Sequence, residues 1–527
     1  MESTNMLRSI LGTRILVRLI LILFLGACIA ATDEDDSVSV MAEYSLLGPL
    51  QNTKYGLKGI LQLSIPSGDV YGVDIQSLNL EILFESDDYV RMRITDAEKT
   101  RWEVPQDVVP RPFMVEARPE SERNYDITYT QAPFSIDITR KKDGRHLFKS
   151  SSNLVYKDQY ISIRTETDGD LKTYGLGEST RLNHALKNGE TYTLWASDDY
   201  TASVADGESH GNLYSSYPHY MQVDEGVGTA YGVTFFNSNG MDVTLADDGS
   251  YIELTAIGGI IDLYVMVGPN PIDVVTELTS IIGKPAMMPY WSLGFHNCKW
   301  GYEDVNEVKD VVTNYSKAGI PLDTQWMDID YMYEYKDFTL DPNDFAPDEM
   351  KEFVDKLHNN DQHFGILLDP CIKTLQGYPP YDSGMELGIF VHGIDNKPYL
   401  AQVWPGPCYF PDFFHPSAEK WWYDQLSVFH TDNIAFDGVW IDMNEISNFC
   451  NLDGKSQACQ DATPEGCPGE GQDIFDCCLI CQNIDPSNTL DYPPYAISNN
   501  MGEISSGTLP MVRYVQPLRY ICMYVHI

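Results

Sequence analysis

FDGVWIDMNE, residues 436–445, is a short apolar run that ends on a carboxylate, Asp442, followed at once by Met443, Asn444 and Glu445. It is too short for a helix and apolar on successive positions, so it reads as a strand of a parallel sheet covered on both faces. Comparable runs lie upstream at 291–298, 322–328 and 364–369. Between them the apolar spacing becomes that of a helix: Val305, Val308, Val312 and Tyr315, then Met350, Phe353 and Leu357, then Trp422, Leu426 and Phe429. Strand and helix in alternation mean a parallel sheet, either doubly wound or closed into a barrel. The first strand is not followed by a glycine-rich phosphate loop, so a nucleotide-binding fold has no support. The second, third and fourth runs close on Asp328, Asp369 and Asp442, the strand ends where a barrel carries its chemistry.

Outward from this core the pattern changes. Residues 38–265 break into short alternating or β-branched runs, for example 78–84, 90–94, 231–236 and 260–267, separated by Gly, Pro, Asn and Asp. That spacing predicts an antiparallel sandwich. Pro271 opens a helix with Val274, Leu278, Ile281 and Ile282 on its apolar positions, closed by Gly283 and Pro285. The chain is therefore expected to be α/β plus all-β. A signal peptide over 1–31 precedes an N-terminal β-sandwich over 32–268. A partial (β/α)8 TIM-barrel domain over 269–527 follows, with insertions at about 371–415 and 446–490.

Arg8, Arg14 and Arg18 precede an apolar run at 19–25 and small residues through Ala31, which is the order of a signal peptide. Export predicts a secreted protein, or one delivered to a lysosome or vacuole, with no membrane association after cleavage. Eleven cysteines fit an oxidising compartment, and the group Cys459, Cys467, Cys477, Cys478 and Cys481 is expected to hold at least one disulfide. One N-x-S/T sequon occurs, at Asn314. The net charge of -42 repels nucleic acid and excludes it as a partner. Histidines such as His296 and His363 stand apart from any Cys or carboxylate cluster, so neither a catalytic metal nor another cofactor is expected. Trp291, Trp300 and Trp326 read as core, and Asp330 and Tyr331 as residues that pin a loop.

Cleaving a glycosidic bond takes two carboxyl groups, roughly 5–5.5 Å apart where the anomeric configuration is retained, with aromatic faces around them for the sugar. GVWIDMNE resembles the nucleophile signature of glycoside hydrolase family 31, the α-glucosidase family. The likeness extends to YGLGES at 174–179, GKPAMMPYWSLGFHNCKWGY at 283–302, IPLDTQWMDIDYM at 320–332, VWPG at 403–406 and FPDF at 410–413, in family order. It covers about 40–500, with Lys299 where the family usually carries Arg.

The resemblance implies Asp442 as nucleophile, with Trp440, Met443 and Glu445 beside it. It implies Asp328 and Ile329 as holders of the terminal glucose, Trp404 as an aromatic wall, and Leu367 and Asp369 as further lining. Asp198, in TLWASD, matches a residue reaching over from the sandwich to the aglycone side. The implied substrate is an oligosaccharide or polysaccharide ending in α-linked glucose. An α-xylosidase, an ER trimming glucosidase, or a non-catalytic sugar-binding form are the alternatives. Family members carry the acid/base aspartate beyond the fourth strand, and the family pattern is lost after Ile497. Only the first half of the barrel, without that acid, is therefore expected here.

Overall fold

The computed structural model describes residues 41–106, 108–111, 116–179, 184–196, 212–393, 396–444, 489, 493–495 and 497. The expected signal peptide and the cysteine group at 459–481 lie outside them. Two antiparallel sheets make the N-terminal part. One runs in the order Glu43–Leu46, Gly56–Ile65, Ser77–Leu83, Tyr89–Asp96, Ile261–Met266, Thr229–Phe235, Asn212–Asp224 and Lys172–Ser179. The other contains Thr191–Leu194, Met241–Leu245, Tyr251–Ala256, Ile161–Glu166, His146–Tyr156, Phe134–Arg140 and Tyr125–Gln131. Strict alternation of buried and half-buried positions in Ser77–Leu83 and Phe134–Arg140 shows why these stretches are strands with one face in the core.

Two buried ion pairs cost desolvation and are held by geometry. Arg91 donates to both oxygens of Asp262, from Nε at 2.8 Å and from Nη2 at 2.7 Å. Lys157 is fully buried and donates to the carbonyls of Gly68 and Gly72, both at 2.7 Å, with Asp74 Oδ1 at 3.2 Å.

The connecting helix Pro271–Ile282 starts where the sequence marks it. The Asn270 side chain accepts from the backbone N–H of Ile272 and Asp273, and Pro271 takes the first position. Val274 and Ile281 bury against the sandwich with Tyr264, Met266 and Ala230. Glu277 is buried on the same helix, and its Oε2 accepts from Gly268 N at 3.2 Å.

Beyond it lies a parallel sheet in chain order: His296–Asn297, Thr324–Met327, His363–Leu368 and Gly438–Ile441. The helices Val305–Ala318, Pro347–Asn359 and Ala418–Asp432 fall between consecutive strands. Asp304 caps the first of them through Glu307 N at 2.8 Å, and Gly319 ends it in the left-handed region at φ 68°. Met327, Ile366 and Leu368 share one core with Val308, Met350, Phe353, Leu357, Trp422, Leu426 and Phe429 of these helices. Among the described residues the sheet is open, with His296–Asn297 and Gly438–Ile441 at its edges.

The run 291–298 departs from expectation. Tyr290–Leu293 is a 3-10 turn between Pro289 and Gly294, and only His296–Asn297 pairs as strand. A proline and a glycine so close together confine the extended part to the residues beyond Gly294.

After the fourth strand the chain returns to the sandwich. Tyr495 Oη donates to Asp242 Oδ2 at 2.7 Å, and its ring meets Tyr71 and Tyr160 edge-on at 5.1 Å.

Candidate active site

The register of the sheet places the site. Thr324 pairs with His363, Trp326 with Gly365, Gly365 with Gly438 and Leu367 with Trp440. Since alternate residues share a face, Trp326, Gly365, Leu367, Gly438 and Trp440 lie on one side of the sheet. The Trp326 indole lies across the two glycines: a Cβ on Gly365 or on Gly438 would meet its six-membered ring. Trp326 Nε1 donates to His296 Nδ1 at 2.8 Å, and the other nitrogen of His296 lies 3.1 Å from Ser292 O. His363 stacks on Trp291 at 4.3 Å. These four rings form a floor beneath the carboxyl ends of the strands.

Asp328 and Asp442 stand above that floor, one residue past the second and fourth strands. Asp442 N reaches Leu368 O at 3.3 Å, and Asp442 Oδ1 accepts from Met443 N at 2.9 Å. Asp328 Oδ1 accepts from Ile329 N at 2.7 Å. Burial pushes the Asp328 carboxyl up from the usual range, and the charges of Asp330 and Asp442 push the same way. The two acids thus share one electrostatic environment. Asp330 Oδ2 accepts from Gly301 N at 2.8 Å and Tyr331 Oη donates to Leu367 O at 2.7 Å, so both pin loops.

An aromatic wall closes one side. Trp404 Nε1 donates to Met443 Sδ at 3.1 Å, and the Trp404 ring lies 5.6 Å from Trp300 and 6.2 Å from Tyr335. Trp300 is 59% exposed rather than core, because Gly301 at φ 90° turns the chain out immediately after it. Neither Trp300 nor Tyr335 stood out as a site residue in the sequence; their signal was only an aromatic beside a glycine for one and two residues from another tyrosine for the other. Lys299, in the place of the family's Arg, pairs with Glu307 at 2.7 Å.

Three expected lining residues are buried. Ile329, Leu367 and Asp369 are 2%, 1% and 2% exposed. Ile329 and Leu367 join the hydrophobic core, and Asp369 N donates to the buried carboxylate of Asp337 at 3.1 Å. Leu367 nonetheless lies on the same face of the sheet as Trp326 and Trp440, covered there by its neighbours. Trp440 is 37% exposed and stays on the open face. Asp198 and Glu445 lie outside the described residues.

The segment 285–506 matches the glycosyl hydrolases family 31 TIM-barrel domain, and 79–243 matches the glycosyl hydrolase 31 N-terminal galactose mutarotase-like domain. The chain belongs to glycosyl hydrolase family 31. Within the family it is 40% identical over 500 residues to alpha-xylosidase 1 of Arabidopsis thaliana, covering 91% of this chain and 52% of that one. It is 40% identical over 447 residues to an alpha-glucosidase of Hordeum vulgare, covering 81% and 46%. Among solved structures, the glucosidase II alpha subunit superposes with a TM-score of 0.67 at 20% identity, over 79% of this chain and 53% of that one. This family 31 chain spans about half the length of the curated relatives it matches.

Proposed function

We propose that this chain carries the glycone half of a retaining α-glucosidase site, with Asp442 as nucleophile and Asp328 holding the terminal glucose. The observation behind this reading is that two carboxyls, Asp328 and Asp442, each stand one residue past a strand of the same parallel sheet, with Met443, next to Asp442, in contact with Trp404. Attack of an Asp442 oxygen on the anomeric carbon forms a β-linked ester as the bond to the leaving oxygen breaks, and that oxygen takes a proton from an acid. We assign the acid to the part of the relatives' length that this chain does not span. Trp440 and Trp404 then supply apolar faces, and Asp198 and Glu445 polar ones. We further propose export through the secretory route, on the strength of the 1–31 leader and the Asn314 sequon.

An activated fluoride tests the nucleophile without needing the acid, because fluoride departs unprotonated. With 5-fluoro-α-glucosyl fluoride, the carbon–fluorine bond at the anomeric centre breaks and an ester to Asp442 forms. Peptide mapping is expected to find one sugar on the segment containing Asp442 and none in Asp442→Asn, which keeps the shape but not the nucleophile. A label on Asp328 instead would reverse the assignment. The likeness to an alpha-xylosidase favours one alternative, the pentose, and faster labelling by the corresponding α-xylosyl fluoride would select it.

A further inference from the structure

Met443 belongs to two structures at once. Its backbone follows Asp442 directly, sits in the left-handed region at φ 58°, and donates its N–H to the Asp442 carboxylate. Its side chain is buried in a small core distinct from the one behind the sheet, made with Cys371, Val391, Ala401, Val403, Cys408 and Phe410. That core belongs to the excursion between the third and fourth parallel strands. Cys371 and Cys408 are bonded within it, across 37 residues of chain, and both are buried. The same hairpin, Ala401–Val403 against Gly406–Tyr409, carries Trp404 in its turn.

The hairpin meets the third strand's extension along a short stretch of chain. The ladder has two residue pairs, Ile372 with Tyr409 and Lys373 with Cys408, and is extended by Thr374, whose N–H and Oγ1 both donate to Pro407 O at 3.0 Å, and by Lys373 Nζ, which donates to Pro405 O at 2.5 Å. A thioether is a poor hydrogen-bond acceptor, so the Trp404 to Met443 contact persists because the surrounding core keeps both partners in place.

We infer that the Cys371–Cys408 cystine and Met443 are positioning residues that lock the Trp404 wall to the strand end bearing Asp442. The inference rests on the reading of Asp442 and Trp404 as glycone-site groups. If the cystine merely stapled the excursion to itself, its loss would loosen residues 371–410 and go no further. If it acts through Met443, the loosening reaches the amides of 441–443, which lie on a different strand.

Hydrogen exchange read by mass spectrometry separates the two, on the whole chain and on Cys371→Ser/Cys408→Ser, Met443→Ala and Met443→Leu. Loss of the cystine is expected to raise exchange at least tenfold at 401–409 and at 441–443, with 353–357 of the outer core unchanged. Met443→Ala is expected to do the same at 441–443 with the cystine intact, and Met443→Leu, which restores the volume, to recover most of the protection. Affinity for deoxynojirimycin, a glucose-shaped iminosugar, should fall at least tenfold in the cystine variant and in Met443→Ala. Exchange that rises only within 371–410 overturns the inference, as does unchanged protection at 441–443 in Met443→Ala. If the cystine variant does not fold, Met443→Ala decides alone. Absence of deoxynojirimycin binding by the unaltered chain counts against the glycone reading, while the exchange pattern still decides the coupling.

Discussion

Gly365→Ala adds one methyl group at the centre of the floor. Built on the present backbone, that carbon would stand 2.5 Å from Cζ3 of Trp326, with two further ring atoms nearer still. Gly365 lies mid-strand, paired on both sides with Trp326 and Gly438, so its backbone has no room to yield. The indole must move, and the movement costs about 1–3 kcal/mol of overpacking. It also breaks the 2.8 Å bond from Trp326 Nε1 to His296, worth about 0.5–1.5 kcal/mol. Together these give a destabilisation of about 1.5–4.5 kcal/mol. Urea titration followed by tryptophan fluorescence measures it as a shift in midpoint at constant slope. Combining the change with Trp326→Phe removes part of the offending ring, so the pair should couple by at least about 0.5 kcal/mol. A Gly365→Ala protein within about 0.5 kcal/mol of the parent, or strict additivity with Trp326→Phe, would refute the packing argument.

Other changes address other parts of the chain. Burial pushes Glu277 up to about 8, so the folded state holds a proton that the unfolded chain releases in the ordinary carboxylate range. Stability therefore falls as pH rises from that range to about 8. Glu277→Gln, which keeps the acceptor for Gly268 N, should flatten the slope, leaving the share due to Glu85, pushed up to about 7 by burial; a thermal-melt series across pH checks it. Lys157→Met leaves Asp74 buried without its cation and should cost about 3–5 kcal/mol, with faster proteolysis around 66–74. Lys157→Met/Asp74→Asn should recover part of that loss. Asn314 is exposed on the helix Val305–Ala318. Protein collected from a eukaryotic secretory route should lose one glycan's mass on endoglycosidase treatment, and Asn314→Gln should not; an unmodified chain would show that this sequon is not used.

The strand ends were legible because their chemistry is local. An apolar run that stops on Asp needs nothing from the rest of the chain to be read, and Asp328 and Asp442 lie where that rule puts them. The limits of the helix Pro271–Ile282 were legible for the same reason, a proline at its first position and a glycine just past its last. What escaped depends on groups far apart in sequence. Cys371 and Cys408 carry no mark that sets them against the more crowded cysteines downstream. The burial of Ile329 and Leu367 comes from side chains of other elements that close over them, and the exposure of Trp300 from a turn at the next residue. Tryptophan is apolar enough for a core and broad enough for a sugar, so composition alone does not divide Trp326 from Trp300.

The contact between Tyr495 and Asp242 turns 253 residues into a ring that leaves the sandwich through the Pro271–Ile282 helix and is fastened to it again at Tyr495, with Gln159 Nε2 donating to Thr489 O at 2.7 Å close by. Doubling the length of such a loop costs only about 0.6 kcal/mol in closure entropy. Excursions inside it are thus free to grow or shrink over evolutionary time at little expense, while its two attachment points are not. A chimera that set a different catalytic half on this sandwich would have to transplant both attachments, the Pro271–Ile282 helix at the way out and a ring able to fill the place of Tyr495 at the way back.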